Sequence, residues 1–91
     1  MSKIEQQMID AVKNRKQWQL DNTQVISLYP SSVVLLHGNM IATWLHDDCR
    51  LVVNIDALKK WPTNTTKSRL RALGANVTTK RGVTYLDGKE V

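Results

Sequence analysis

His37, His46 and Cys49 are the residue types that bind zinc, and Asp47 and Asp48 stand beside them. Structural zinc takes four ligands, usually in close pairs such as Cys-x2-4-Cys. Only three soft ligands exist here, one on a different turn from the other two. Turn carboxylates and strand-end histidines account for the same residues, and no metal site is expected. Asp47-Asp48 could supply paired carboxylates for acid–base work, yet adjacent residues in a strand or tight turn diverge and no nucleophile stands with a base. Gly38 and Gly88 are isolated, so no glycine loop cradles a phosphate. The chain reads as a binding protein without catalytic residues, metal or cofactor, rather than as an enzyme.

The chemistry that remains is that of cations. Between Asp56 and Asp87 there is no acidic residue, while Lys59, Lys60, Lys67, Arg69, Arg71, Lys80 and Arg81 fall in that window. Residues 1–56 hold five bases against six acids and residues 57–91 hold eight against two, so the formal charge of +5 belongs to the second part. A one-signed surface attracts phosphate or carboxylate before contact forms. The partner expected is therefore nucleic acid or an acidic protein surface.

These residues need elements to hold them. Ninety-one residues suit one domain with one core, 1–91, divided into a helix over 1–18, strands over 24–55 and a basic loop-helix-hairpin over 56–91. A single cysteine allows no internal disulfide. No apolar run approaches the roughly 18 residues of a membrane span, and the start lacks the apolar centre of a signal peptide. A soluble cytoplasmic protein that does not bind membranes is expected. The Asn64 and Asn76 sequons are chance matches.

Ser2 with Glu5 three residues on has the form of a capping box. Ile4, Met8, Ala11, Val12 and Trp18 then recur at helical spacing opposite Lys3, Gln7, Asp10, Lys13 and Lys16. From Gln24 the pattern becomes short runs of Val, Ile, Leu and Tyr between turn residues, predicting strands near 24–29, 32–37, 40–46 and 50–55. Turns as short as Gly38-Asn39 force antiparallel neighbours, hence a four-stranded meander. Val33-Val34-Leu35-Leu36 is apolar on both faces, so the second face is open to a helix, a sheet or a partner chain.

In the basic window Trp61 is expected to anchor a loop to the core, so that Trp61→Ala would cost about 3–5 kcal/mol. The Thr63-Asn64-Thr65-Thr66 run offers caps for a short helix near Thr66–Leu73, stopped by Gly74. Lys67 in its first turn, with Thr65 and Thr66, would suit a phosphate or carboxylate; the alternative is a Thr that caps its own helix while Lys67 points into water. Residues 76–86 read as a hairpin with Lys80 and Arg81 at its tip, and Lys89–Val91 as a short strand or tail. The fold class is α+β. A winged helix-turn-helix is discounted, because strands and not helices precede the short helix.

From Leu36 on, the chain resembles a widespread family of small bacteriophage and plasmid proteins. The resemblance rests on Leu36-His37-Gly38-Asn39-Met40-Ile41-Ala42, on Trp61 through Leu73 and on Tyr85-Leu86-Asp87-Gly88-Lys89, and its most specific part is Thr65-Thr66-Lys67-Ser68-Arg69-Leu70. Arg71 stands where the pattern has Asn, and Val91 where it has an aromatic residue. The N-terminal helix lies outside it. The resemblance implies an accessory protein acting inside a bacterial host cell and transfers no activity.

Two readings follow. One is a nucleic-acid-binding module that presents Lys59, Lys60, Thr65, Thr66, Lys67, Arg69, Arg71, Lys80 and Arg81 as one surface. Against a single-strand stacking platform, Trp44, Trp61 and Tyr85 are spaced as core residues. The other is a phage-encoded inhibitor or modulator of a host or defence protein. The sequence also allows a homodimer.

Overall fold

The computed structural model describes residues 1–91. The Ser2 hydroxyl accepts the Glu5 backbone N–H at 3.2 Å and starts α1, Lys3–Lys13, whose Met8, Ala11 and Val12 are buried. The helix ends sooner than its apolar spacing predicts. Arg15 takes a left-handed φ of 54°, which turns the chain out of the helix and sends Trp18 into a strand. That strand, β1 (Trp18–Leu20), pairs with β2 (Thr23–Leu28) and adds a fifth member to the meander. Gln17 extends the pairing with its side chain: its amide oxygen accepts the Ser27 N–H at 3.0 Å and its amide nitrogen donates to the Ser27 carbonyl.

The sheet continues through β3 (Ser31–Leu36), β4 (Asn39–Leu45) and β5 (Arg50–Val53), all antiparallel and in chain order. The β3–β4 turn is His37-Gly38, one residue earlier than expected, with φ of 51° and 78°. Both central residues are left-handed, as a two-residue hairpin turn requires, and Leu36 then faces Asn39. Val34 pairs with Ala42 but Leu35 with Met40, so Ile41 is an extra residue that turns inward beside Ala42. This bulge is why alternation fails there.

Val25, Val34, Leu36, Ile41 and Ala42 form the inner face, and the helices lie on it. Where a loop was expected after β5 there is a short helix, α2 (Ile55–Lys60). The Asn54 side chain caps it by accepting the Ala57 N–H at 3.3 Å and ties it to the sheet by donating to the Met40 carbonyl at 2.9 Å. α3 (Asn64–Ala72) begins two residues earlier than predicted, because Thr63 and not a later Thr is the cap, accepting the Thr66 N–H at 3.1 Å. It closes with two C-terminal bonds, Ala75 N–H to the Leu70 carbonyl and Gly74 N–H to the Arg71 carbonyl, both 3.0 Å, around Gly74 at φ 105°. The C-terminal hairpin gains a third strand: β6 (Val77–Lys80), β7 (Val83–Leu86) and β8 (Lys89–Glu90). The fold is α+β, and one cluster of twelve buried side chains joins both sheets to all three helices.

Trp61 is not the anchor. It stays 37% exposed while Leu58, three residues earlier, is fully buried, because the helical phase of α2 points Ala57 and Leu58 at the core. Leu58→Ala should therefore cost about 2–5 kcal/mol, whereas Trp61→Ala should cost well under the about 3–5 kcal/mol of a buried tryptophan. Urea melts of the two variants check the order. A larger loss in Trp61→Ala would put the tryptophan back in the core.

Candidate anion-binding surface

The bases of the acid-free window divide into three groups by what their stems touch. Arg69 points inward. Its Nη1 lies 2.9 Å from Glu5 Oε2, its Nε donates to Thr23 Oγ1 at 3.0 Å, and Nη2 reaches Asn22 Oδ1 at 3.5 Å. Ser68 Oγ donates to the same Glu5 oxygen at 2.6 Å. Arg69 is thus removed from the surface that the sequence assigns it to, since a buried guanidinium needs a carboxylate and finds one on α1.

The Glu5 carboxyl reflects this setting. Burial alone would push its pKa up, but hydrogen bonds from Ser68, Arg69 and Ser2 outweigh burial and hold it below the ordinary 4.5. A carboxyl lowered on folding contributes stability that is complete above the unfolded value and is lost as pH falls through the folded one.

Lys67 and Arg71 form the second group, on the flank of α3 that meets β6. Lys67 Nζ donates to Thr79 Oγ1 at 2.7 Å and Arg71 Nε to the Val77 carbonyl at 2.7 Å. Four helical residues rise about 6.0 Å and two strand residues about 6.6 Å, so an i,i+4 pair on α3 matches an i,i+2 pair on β6. Lys67 is buried along its stem, and Arg71 is exposed. Thr66 is buried with its hydroxyl 3.0 Å from Thr63 Oγ1, so the threonines do cap their own helix; Lys67, however, crosses to β6 instead of pointing into water.

Lys59, Lys60, Lys80 and Arg81 form the third group, and all four are exposed. A groove of 350 Å³ runs between the end of α2 and the β6–β7 turn, with Lys59 and Pro62 on one wall and Gly82 and Val83 on the other; Glu90 is the acid that adjoins it. The hairpin tip therefore lies near the end of α2, and the Lys67–Thr79 bond brings α3 to the same strand.

Trp61 itself lines a separate cleft of 390 Å³ together with His37, Asn39, Thr63 and Thr65. Lys60 Nζ sits 4.8 Å from the centre of the Trp61 ring. The two longer segments that carry the sequence resemblance, Leu36–Ala42 and Trp61–Leu73, meet here. Sequence reasoning missed Trp61 as a surface residue; the signal was its place just before Pro62, at the end of a helix whose buried phase is already taken by Leu58.

A second polar cluster lies at the far end of the meander, and it takes up His46. Ser32 Oγ is 2.7 Å from His46 Nε2 and 2.8 Å from Ser27 Oγ. Tyr29 stacks on His46 with 6.5 Å between ring centres, bonds Asp47 through its hydroxyl and carries Arg15 5.1 Å from its ring centre. The bond to Asp47 raises the Tyr29 pKa above 10.0. Cys49 stands apart, its thiol 3.6 Å from the His46 carbonyl, and His37 lies on the β3–β4 turn.

The sequence model of the Kyanoviridae Gp96 protein matches residues 1–91, so the match includes α1, and the chain belongs to this phage protein family. No curated protein and no solved structure matches it.

Removing one partner of the buried pair leaves the other charge stranded, so Arg69→Ala should destabilise the fold by about 3–5 kcal/mol. In Glu5→Gln the loss of stability below pH 4.5 should be shallower than in the native chain, because the variant carries no carboxyl there to protonate. Denaturant melts across that pH range check both; equal acid slopes would show that Glu5 is not the group responsible.

Proposed function

We propose that this Kyanoviridae Gp96 family protein is a non-enzymatic phage accessory protein that binds nucleic acid through its basic C-terminal surface. The observation that carries the reading is the state of the bases. Glu5–Arg69 is the one ion pair in the chain, so seven of the eight bases in residues 57–91 have no carboxylate within 4.0 Å. Lys67 also lacks an acid but is buried with its ammonium donating to Thr79, so the charge presented outward is that of the exposed Lys59, Lys60, Lys80 and Arg81. Uncompensated positive charge held on packed elements is what a phosphate backbone recognises.

Trp61 adds a preference. An exposed indole beside Lys60 and next to a cleft offers a stacking surface for an unpaired base. The bound form is then a single strand, with Lys59, Lys60, Lys80 and Arg81 on phosphates and Trp61 on a base.

Binding of labelled single-stranded and duplex DNA and RNA at several salt concentrations tests this. Single-strand affinity should fall with a log–log salt slope of about −0.7 for each phosphate neutralised, hence about −3 for four contacts. Reversing Lys59, Lys60, Lys80 and Arg81 to Glu should abolish binding with the melting curve intact. Trp61→Ala should cost about 1–3 kcal/mol on single strands and little on duplex. If native and reversed chains bind alike, the basic window is a solvated face. A nuclease-resistant host protein captured in place of nucleic acid would favour the inhibitor reading.

A further inference from the structure

The inner face of the five-stranded sheet is covered by helices, but its outer face is bare and mostly apolar, with Gln24, Ser31, Thr43 and Arg50 interspersed. Alternation from the buried Val25, Val34 and Ala42 places Ile26, Leu28, Val33, Leu35, Met40 and Val52 on it. Ile26, Val33, Thr43 and Val52 run straight across four strands as register partners. Ile26, Met40 and Val52 are 42%, 44% and 43% exposed and Leu28 is 80% exposed. A patch of this extent is as large as the largest on a typical monomer, about 300–600 Å², and such patches often mark interaction sites.

We infer that this face is the contact between two copies of the chain, packed sheet on sheet about a two-fold axis. Charge favours a second copy. The chain carries +5, and two copies repel through most approaches. Among the strand residues of this face only Arg50, on the outer strand, is charged, while the α2, α3 and hairpin bases lie in the layers beyond the inner face. Like-charged copies therefore meet at least cost here, and the face offers no ionic pattern to select a different partner. The area suits a weak contact. Strands β2 to β5, of 6, 6, 7 and 4 residues at about 3.3 Å each and about 4.8 Å apart, make a footprint of about 360 Å². Over both copies that is about 700 Å² before the relief of the side chains and the projecting Leu28 is added, the size of a weak, transient contact. Two twisted sheets packed face to face align with their strands about 30° apart, and Ile26 and Val52 from one copy would fill the rows of the other. An interface of this size is reversible and concentration-dependent.

Sedimentation over about a hundredfold range of protein concentration is the test. The native chain should move from the 10.4 kDa monomer toward twice that mass as concentration rises, and should do so at least as readily in high salt, which screens the repulsion between copies and removes association bridged by carried-over nucleic acid. Ile26→Lys and Val52→Lys, each at an exposed position, should shift the midpoint at least tenfold to higher concentration with circular dichroism and melting unchanged. Should one variant misfold, the other reports alone; should both, a Cys49→Ser, Thr43→Cys chain should form a disulfide-linked dimer on mild oxidation. A native chain monomeric throughout, a dimer that high salt dissolves, or folded Lys variants that dimerise as the native chain does would each overturn the inference.

Discussion

A single ion pair, Glu5 with Arg69, sets the relation between the two parts of this molecule. Two buried charges are costly unless every remaining donor and acceptor is engaged. Ser68, Thr23 and Asn22 supply those partners, so the pair exists only where α1, α3 and the start of β2 meet. α3 has nine residues and is too short to persist by itself. Its rotation is therefore fixed from outside: with Arg69 pointing at Glu5, residues two before and two after it are turned by about 200° onto the opposite flank. That flank meets β6, which is how Lys67 and Arg71 come to lie along the C-terminal sheet. One inward charge arranges the outward ones.

The same geometry explains why so little of the chain is enclosed. Eighteen of 91 residues are buried, a small share because the larger sheet has helices on one side alone. The acids take almost no part in neutralising the bases: Glu5 is committed to Arg69 and Asp47 to Tyr29. Charge and apolar surface are thus segregated, the first carried by α2, α3 and the hairpin and the second by the outer sheet face.

Much of the fold was legible because its signals are local. β-branched runs between turn residues announced four strands, and Ser2, Thr63–Thr66 and Gly74 marked helix ends. β1 was missed because three residues cannot show alternation, and α2 because six residues between a strand and Pro62 cannot show a helical period. The site was less legible, since a cation in sequence reads as solvated and the partner of Arg69 lies 64 residues away. A signal did exist. Glu5, Met8 and Val12 stand at i, i+3 and i+7, so the carboxylate belongs to the apolar stripe of α1, where an unpaired acid is untenable. Trp61 was misplaced for the converse reason, a large apolar side chain being assigned inward by type when the phase of α2 had already chosen Leu58.

The clasp between Glu5 and Arg69 also has a meaning in time. A ribosome delivers about 5–20 residues each second, and hairpins close within microseconds, so the meander over residues 18–53 can pair as it emerges. α1 cannot settle then, because its carboxylate faces the forming core with no counter-charge until residue 69 has left the exit tunnel. The nascent chain should wait with α1 loose and the inner sheet face open, and complete itself in one late step. A copy cut short before Arg69 would remain in that open state, which is what cellular proteases remove.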